Sequence, residues 1–447
     1  MARSPLPRRR AARPPVRRAA RDRPHLSSIV KPVPFAAHHS RGARRALGTM
    51  TVAALALTAC SGDDDTATPS TTVVATTTTL VQRTSDGTLT LGIYLPRTGA
   101  GASLGPPLIA GVEEAVRVVN DNGGVLGRDV EVVTADEGSE AIEVLVTAGV
   151  DAIVGPASSL VALSGLGPAV DANSGVVTCS PMATARGLDA YPDNQFFFRT
   201  APSDTLQMAA IARIAERTGA QDIAVGYLDD PYGRGLSVAL EDALDDRLVT
   251  LEPSIGFSGD EGDLGPVARE LLAGDPGVVV VLGDADDGSR LLAALDEATD
   301  DPPVIIINDS IRQARQVIQG LSDDFRDQLV GVAPQAHAAS GDTETGFFVP
   351  HAIDCVNLIA LAAIDAGTDD PIEIRKQMAA VSTGGRACTS FSSCAALVEQ
   401  DLGIDYNGVS GRVDLSSVTG DPTRAWFETF TFDAEGNEVR QAPIEVN

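Results

Sequence analysis

Residues 89–136 constrain this chain more than any other stretch. They read LTLGIYLPRTGAGASLGPPLIAGVEEAVRVVNDNGGVLGRDVEVVTAD. The short apolar run at 89–95, with partial alternation, predicts a strand. A turn rich in glycine and proline follows. Ile109, Val112, Ala115, Val116 and Val119 then recur at helical spacing, which predicts a helix over about 105–120. Asn122, Gly123 and Gly124 end it, because they tolerate the left-handed backbone of a tight exit. A second strand is expected at about 129–134. A strand–helix–strand unit of this kind belongs to α/β proteins built on a parallel sheet.

Gly99, Gly101 and Gly105 lie in the loop between strand and helix, where backbone amides can receive an anion. Their spacing is G-x-G-x-x-x-G, one residue longer than the dinucleotide fingerprint. The loop is therefore read as a cover over a small polar ligand rather than as a nucleotide site.

The same alternation continues. Helices are expected at about 141–148 and 160–171, and strands at 150–154 and 175–178. Two successive strands end in polar loops, Gly155-Pro156-Ala157-Ser158-Ser159 and Cys179-Ser180-Pro181-Met182-Ala183-Thr184. In a parallel sheet such ends face one crevice, the usual ligand position. The aromatic stretch NQFFFR at 194–199 is expected to cross to a second lobe. A new series follows, with a helix at 204–218 and a strand at 222–227. Tyr232 is expected in the next loop as a lid over a ligand, since it offers apolar area and one hydroxyl. GVVVVL at 277–282 reads as a fully buried parallel strand. Another is expected at 303–307. Asp284, Asp286 and Asp309 all fall at strand ends, where a carboxylate could pair with a ligand ammonium. No metal-ligand spacing and no cofactor motif accompanies them, so neither metal nor cofactor is expected. Residues 329–334 are expected to cross between lobes, and a long apolar helix is expected at 345–366. Residues 384–394 are expected to be irregular, and WFETFTF at 426–432 to be a strand.

Length and charge fit that organisation. At 447 residues the chain is long enough for two lobes beyond a leader. Residues 1–59 carry 13 of the 34 basic residues and only Asp22 among the 61 acidic ones. Residues 60–447 thus hold 21 basic against 60 acidic residues, a net charge of −39. A charge that negative argues against nucleic acid or an anionic membrane surface as a partner. Arg41, Arg44 and Arg45 precede an apolar run at 46–59, the pattern of an export signal. It ends Leu57-Thr58-Ala59-Cys60, which resembles the lipobox of bacterial lipoproteins, so Cys60 is expected to carry lipid. Residues 60–86, acidic and then threonine-rich, are expected to be a flexible tether.

Four further cysteines allow three full pairings. Cys388 and Cys394 are close enough for a local disulfide. Cys179 would then face Cys355, either bonded or as a buried reduced pair. An exported chain permits disulfides. A catalytic role for Cys179 would need a base such as His337 or His351, and is not the expected reading.

The segments GIYLPRTGAGASLGPPLIAGVEEAVRVVNDNGGVLGRDVEVV, DAIVGPASS, CSPMATARGL, VGYLDDPYGRGL and HAIDCVNLIALAA occur in this order. Together they resemble the type I periplasmic-binding-protein family, in its branched-chain amino acid and amide branch. The tail DYNGVSGRVDL fits as well. The resemblance implies two Rossmann-like lobes with parallel-sheet cores, joined by three hinge crossovers and closing on a buried ligand. It implies a receptor, not an enzyme, that delivers a small polar solute to ABC permease subunits. A sensor of the same fold is the alternative. By motif match, Ser158 or Ser159 and the backbone and hydroxyl of Met182–Thr184 would take an α-carboxylate. Tyr232 would stand over the ligand and Asp309 would hold its ammonium. The context NDSIRQ and the acidic loop at Gly283 depart from the family pattern and leave amides or urea-like solutes open. The expected lobes are 87–202 and 333–385 for the first, and 203–332 and 386–447 for the second, the last segment with the final crossover.

Overall fold

The structure is a computed structural model that describes residues 85–99, 101–138, 141–245, 249–335 and 348–447. The expected export signal, Cys60 and nearly all of the expected tether lie outside these residues.

In the first lobe β1 (Thr90–Leu95), α1 (Gly105–Asp121), β2 (Glu131–Asp136), α2 (Ala141–Ala148), β3 (Ala152–Val154), α3 (Ser159–Gly165), β4 (Val177–Ser180) and β5 (Phe197–Arg199) follow one another. Their strands form a parallel sheet in the order β2-β1-β3-β4-β5. The second lobe repeats this plan. It runs through α4 (Asp204–Thr218), β6 (Asp222–Leu228), α5 (Pro231–Leu244), β7 (Thr250–Phe257), α6 (Gly265–Leu272) and β8 (Val278–Leu282). It continues with α7 (Ala285–Ala298), β9 (Val304–Ile307), α8 (Arg315–Gly320), α9 (Asp323–Asp327) and β10 (Leu329–Pro334). Its parallel strands lie in the order β7-β6-β8-β9-β10. In each sheet the order reverses beside the first strand, so each presents a crevice at its carboxyl edge there.

The cores follow from the two-residue period of the strands. Ala152 and Val154 join one face of the first sheet, with α1, while Ile153 joins the other. In β8, Val279 and Val281 face one core and Val278, Val280 and Leu282 the other. All five residues of β8 are buried, as a continuous apolar run requires. Glycine is needed at two points on the first lobe's crevice. A Cβ on Gly105 would lie 1.5 Å from the Pro96 carbonyl oxygen. Gly155 has φ +126°, and a Cβ there would lie 1.8 Å from the Tyr94 carbonyl oxygen.

Several expected boundaries move. NQFFFR is not the crossing itself: Phe197–Arg199 pairs with β4 as the edge strand, and the chain crosses just after it. Residues 329–334 are likewise a sheet strand, paired with β9. The chain then enters α10 (Val349–Ala366), which packs in the first lobe's core with α1. By length and composition α10 could cross a membrane, but 78% of it is buried inside the protein, so it is a core helix.

The larger correction concerns residues 386–447. α11 (Pro371–Gln377) leads into β11 (Arg386–Cys388), α12 (Phe391–Val398), β12 (Ile404–Gly408) and β13 (Gly411–Arg412). Residues 384–394 are therefore not irregular. Cys388, Phe391, Cys394, Val398, Ile404, Tyr406, Val413 and Leu415 all belong to the first lobe's core. The chain returns to the second lobe only at β14 (Ala425–Phe432), antiparallel to β10, with β15 (Glu438–Arg440) and β16 (Ile444–Val446) paired to β14. Apolar side chains spaced through 388–415 have the first lobe's core to fill, and this outweighs the local turn residues. The expected Cys388–Cys394 disulfide is present, and Cys179 and Cys355 are bonded rather than a reduced pair. Cys179–Cys355 ties the end of β4 to α10, and Cys388–Cys394 ties β11 to α12.

Candidate functional site

In the first lobe, two loops at the carboxyl edge are knitted together. Ser158 has extended backbone and caps α3, its Oγ accepting from the Val161 amide. Ser159 Oγ accepts from the Ala185 amide at 3.1 Å. Ser180 Oγ donates to the Pro156 carbonyl at 2.6 Å and accepts from the Ala183 amide at 2.9 Å. The Met182 amide also points to Ser180 Oγ, at 3.4 Å, and the Met182 side chain packs against the core. Thr184 is buried, and its carbonyl accepts from the Asp204 amide at 2.8 Å. Glu137, which the sequence did not single out, accepts from the Ala157 and Ser158 amides at 2.9 and 2.8 Å. Burial still raises its carboxyl above the ordinary range. The amides at 157 and 158, just before α3, are thus held by a carboxylate of the protein itself.

In the second lobe, Tyr232 sits in the first turn of α5 rather than in a loop. Asp230 caps that helix and Pro231 opens it. The Tyr232 hydroxyl lies 3.3 Å from Ser310 Oγ and 3.4 Å from Asn308 Nδ2. Asn308 clamps the neighbouring loop, donating to the Gly283 carbonyl at 3.0 Å and accepting from the Gly283 amide at 3.1 Å. Asp309 follows β9 and is 5% exposed, and its Oδ1 has no partner among the described residues. Its carboxyl is raised chiefly by burial. Asp284, by contrast, is exposed and caps α7, accepting from the Asp287 amide at 2.8 Å. This is the commonest use of an aspartate at that position.

Sequence reasoning missed Asp204 and Gln207, which stand one turn apart at the start of α4. Asp204 is pushed up to about 7, by burial first and by the Asp309 charge second. The Tyr232 hydroxyl is raised by burial, then by Asp204 and Asp309. These shifts place Thr184, Asp204, Tyr232 and Asp309 in one neighbourhood. The signal available in the sequence was the i, i+3 pair Asp204/Gln207 after a Pro-Ser entry. Elsewhere the lobes meet through an ion pair from Arg186 to Asp242 on α5, at 2.6 Å.

A sequence profile described as a periplasmic binding protein matches residues 88–349, more than half of the chain. The chain belongs to the periplasmic binding protein family. That family consists of non-catalytic solute receptors, and the two-lobed fold described above is its type I architecture. A Leu/Ile/Val-binding protein homolog from Brucella melitensis is 28% identical over 224 residues. That alignment covers 47% of this periplasmic binding protein and 58% of the relative, so the chain matches little more than half of the relative's length. A leucine-binding protein from Thermotoga maritima superposes with a TM-score of 0.60 at 17% identity, covering 80% of this chain and 98% of that one. A solute-binding protein from R. palustris in complex with benzoate superposes with a TM-score of 0.57 at 16% identity, covering 80% and 96%. One fold thus accommodates chemically unlike ligands, and the solute must be argued from the side chains.

Proposed function

We propose that this periplasmic binding protein is an extracytoplasmic receptor that captures a small polar solute with an ammonium group, an amino acid first among them, and delivers it to the permease of an ABC importer. The observation that carries this is Asp309, a buried carboxylate with an unpartnered oxygen at the carboxyl edge of the second sheet. A buried carboxylate oxygen without a donor is costly, and a ligand cation removes that cost. The hydroxyls of Ser158, Ser159 and Thr184 would supply the polar wall of the other lobe. A thermal-shift screen against amino acids, amides and urea tests the reading, because a specific solute raises stability by mass action. A shift with one amino acid, lost in Asp309→Ala, is expected. A shift with an amide or urea that survives Asp309→Ala would exclude the ammonium contact while leaving the receptor role.

Lipid attachment at Cys60 is the second part of the proposal, resting on Leu57-Thr58-Ala59-Cys60. It would hold the receptor beside its permease. Cell fractionation should find the wild-type chain with membranes and Cys60→Ala in the soluble extracytoplasmic fraction. Equal partition of the two would exclude the anchor.

A further inference from the structure

We propose that the place where the three crossings between the lobes meet is a site for a small monovalent anion, a halide such as chloride, held by His351, Arg412 and Arg424. It lies apart from the solute crevice and uses none of the side chains argued for that crevice.

A small cavity opens at this place. Its wall takes Thr200 from the first crossing, Gln335 from the second and Arg424 from the third. His351, in the first turn of α10, and Arg412, of the β12–β13 hairpin, complete it. The room inside is about 10 Å³, that of one water-sized particle, so a halide suits it better than phosphate or sulfate. The wall carries two arginines and a histidine and, among the described residues, no carboxylate. The chain as a whole has 61 acidic residues against 34 basic ones, so the sign of this wall runs against that of the chain.

The donors there outnumber the acceptors. His351 is 3% exposed, and its Nδ1 is buried with no hydrogen-bond partner among the described residues. Burial pushes the ring down to about 3, so it is neutral near pH 7 and keeps one N–H to give. Arg424 Nε is also buried without a hydrogen bond. It stands 2.7 Å from Asp414 Oδ2 but out of line, so its charge is paired while its N–H is not satisfied. Arg412 shares that carboxylate, at 3.2 Å, and lies 4.0 Å from Asp405. Both carboxylates sit behind the wall rather than in it. The hydroxyls present are committed elsewhere, Thr200 to the His351 carbonyl at 2.8 Å and Ser410 to Asp354 at 2.6 Å. An anion in the cavity accepts from Arg424 Nε and selects the His351 tautomer with its proton on Nδ1. A water accepts too, but leaves two guanidiniums with one close carboxylate between them. Because the wall draws on all three crossings, an ion held there favours the lobe arrangement in which they converge.

The protein carries its own reporter. Trp426 is the single tryptophan of the chain, lines this wall and is 38% exposed, so intrinsic fluorescence reads this place alone. Sodium chloride titrated into the full chain, balanced with sodium gluconate at constant ionic strength, should give a saturating fluorescence change. Bromide should do the same and sulfate should not. Arg424→Gln should weaken the midpoint about tenfold or more, the loss of a charge-assisted bond. His351→Leu should weaken it about threefold or more, which keeps the test open should the first variant fail to fold. The Gln335 amide donates to the Trp426 carbonyl at 3.0 Å and so joins the second crossing to the third. Its hydrogen exchange should slow in chloride. A change that rises linearly with halide is collision with an exposed indole, an adventitious ion only, and would overturn the site. No change, an equal response to sulfate, or an unshifted midpoint in both variants would overturn it as well. Unaltered exchange at Gln335 would overturn the hold on the crossings.

Discussion

Arg199→Met should cost about 3–5 kcal/mol of unfolding free energy at neutral pH, the range for removing one partner from a buried ionic cluster. The Arg199 side chain is fully buried. It donates to Asp421 at 2.6 Å and to Asp189 at 2.7 Å, and it reaches the Ala183 and Ala185 carbonyls at 3.3 and 3.2 Å. Methionine keeps much of the volume and none of the donors. Asp189 retains the Ser203 and Thr205 hydroxyls and is 29% exposed, so it can hydrate. Asp421 is 10% exposed and bears most of the loss. Burial already raises its carboxyl, and Arg199 is the main influence holding it down. Without the arginine its folded value rises further. A carboxyl raised in the folded state carries no penalty below its unfolded value, and the penalty grows as pH climbs through the folded value. The variant's deficit should therefore be largest at pH 7–8 and shrink toward pH 4. Urea denaturation at the two ends of that range measures it. A deficit under about 1 kcal/mol, or one equal at both pH values, would contradict the assignment. Adding Asp421→Leu should recover more than half of the loss, because the stranded carboxylate is then gone. Solute binding should weaken too, since Ala183 and Ala185 flank Thr184 in the first lobe's crevice.

What the sequence made legible follows from the range of the forces involved. The opening strand–helix–strand unit and the GVVVVL strand were readable because their apolar periodicity is local and their burial is complete. The crevice loops were readable because strand ends in a parallel sheet share an edge. Tyr232 was expected in a loop, but it lies in the first turn of the helix that Pro231 opens, a position that proline favours and the apolar pattern does not reveal. Asp284 looked like Asp309 by position. Only burial separates a solvated helix cap from an unpaired carboxylate. Residues 386–415 were misassigned because nothing in their local pattern says which lobe's core they fill. Asp309 lies far in sequence from the Asp204/Gln207 pair, and Glu137 far from the amides it holds, so the i, i+3 spacing on α4 was the only local hint of either group.

Asp354→Ala should cost a similar 3–5 kcal/mol or so, for the converse reason that it strands donors instead of acceptors. Asp354 lies on α10 and is fully buried. Its carboxylate accepts from the Tyr406 hydroxyl at 2.7 Å, from the Val409 and Ser410 amides at 2.8 Å each, and from the Ser410 hydroxyl at 2.6 Å. The Val409–Ser410 turn joins β12 to β13, so one side chain fixes that hairpin to the core helix. Burial outweighs these four bonds and leaves the carboxyl raised. Space is as constrained as charge. A Cβ on Gly408 would lie 2.2 Å from Asp354 Oδ1, so the hairpin can approach only without a side chain there. Alanine leaves two amides and two hydroxyls without this acceptor, beside a small void. Asparagine restores the shape and one acceptor oxygen but turns an NH2 toward donors, so it should recover only part of the loss. Equilibrium denaturation gives the magnitude, and hydrogen exchange at Val409 and Ser410 locates it, since their amides should lose protection in Asp354→Ala before the strands of the first sheet do. Full protection at those two amides in the alanine variant would show that the hairpin is held by packing alone. The hairpin is the last regular element of the first lobe before the chain returns at Ala425. A loosened hairpin should therefore free the final crossover, and solute affinity in Asp354→Asn should fall even where the global stability loss is modest.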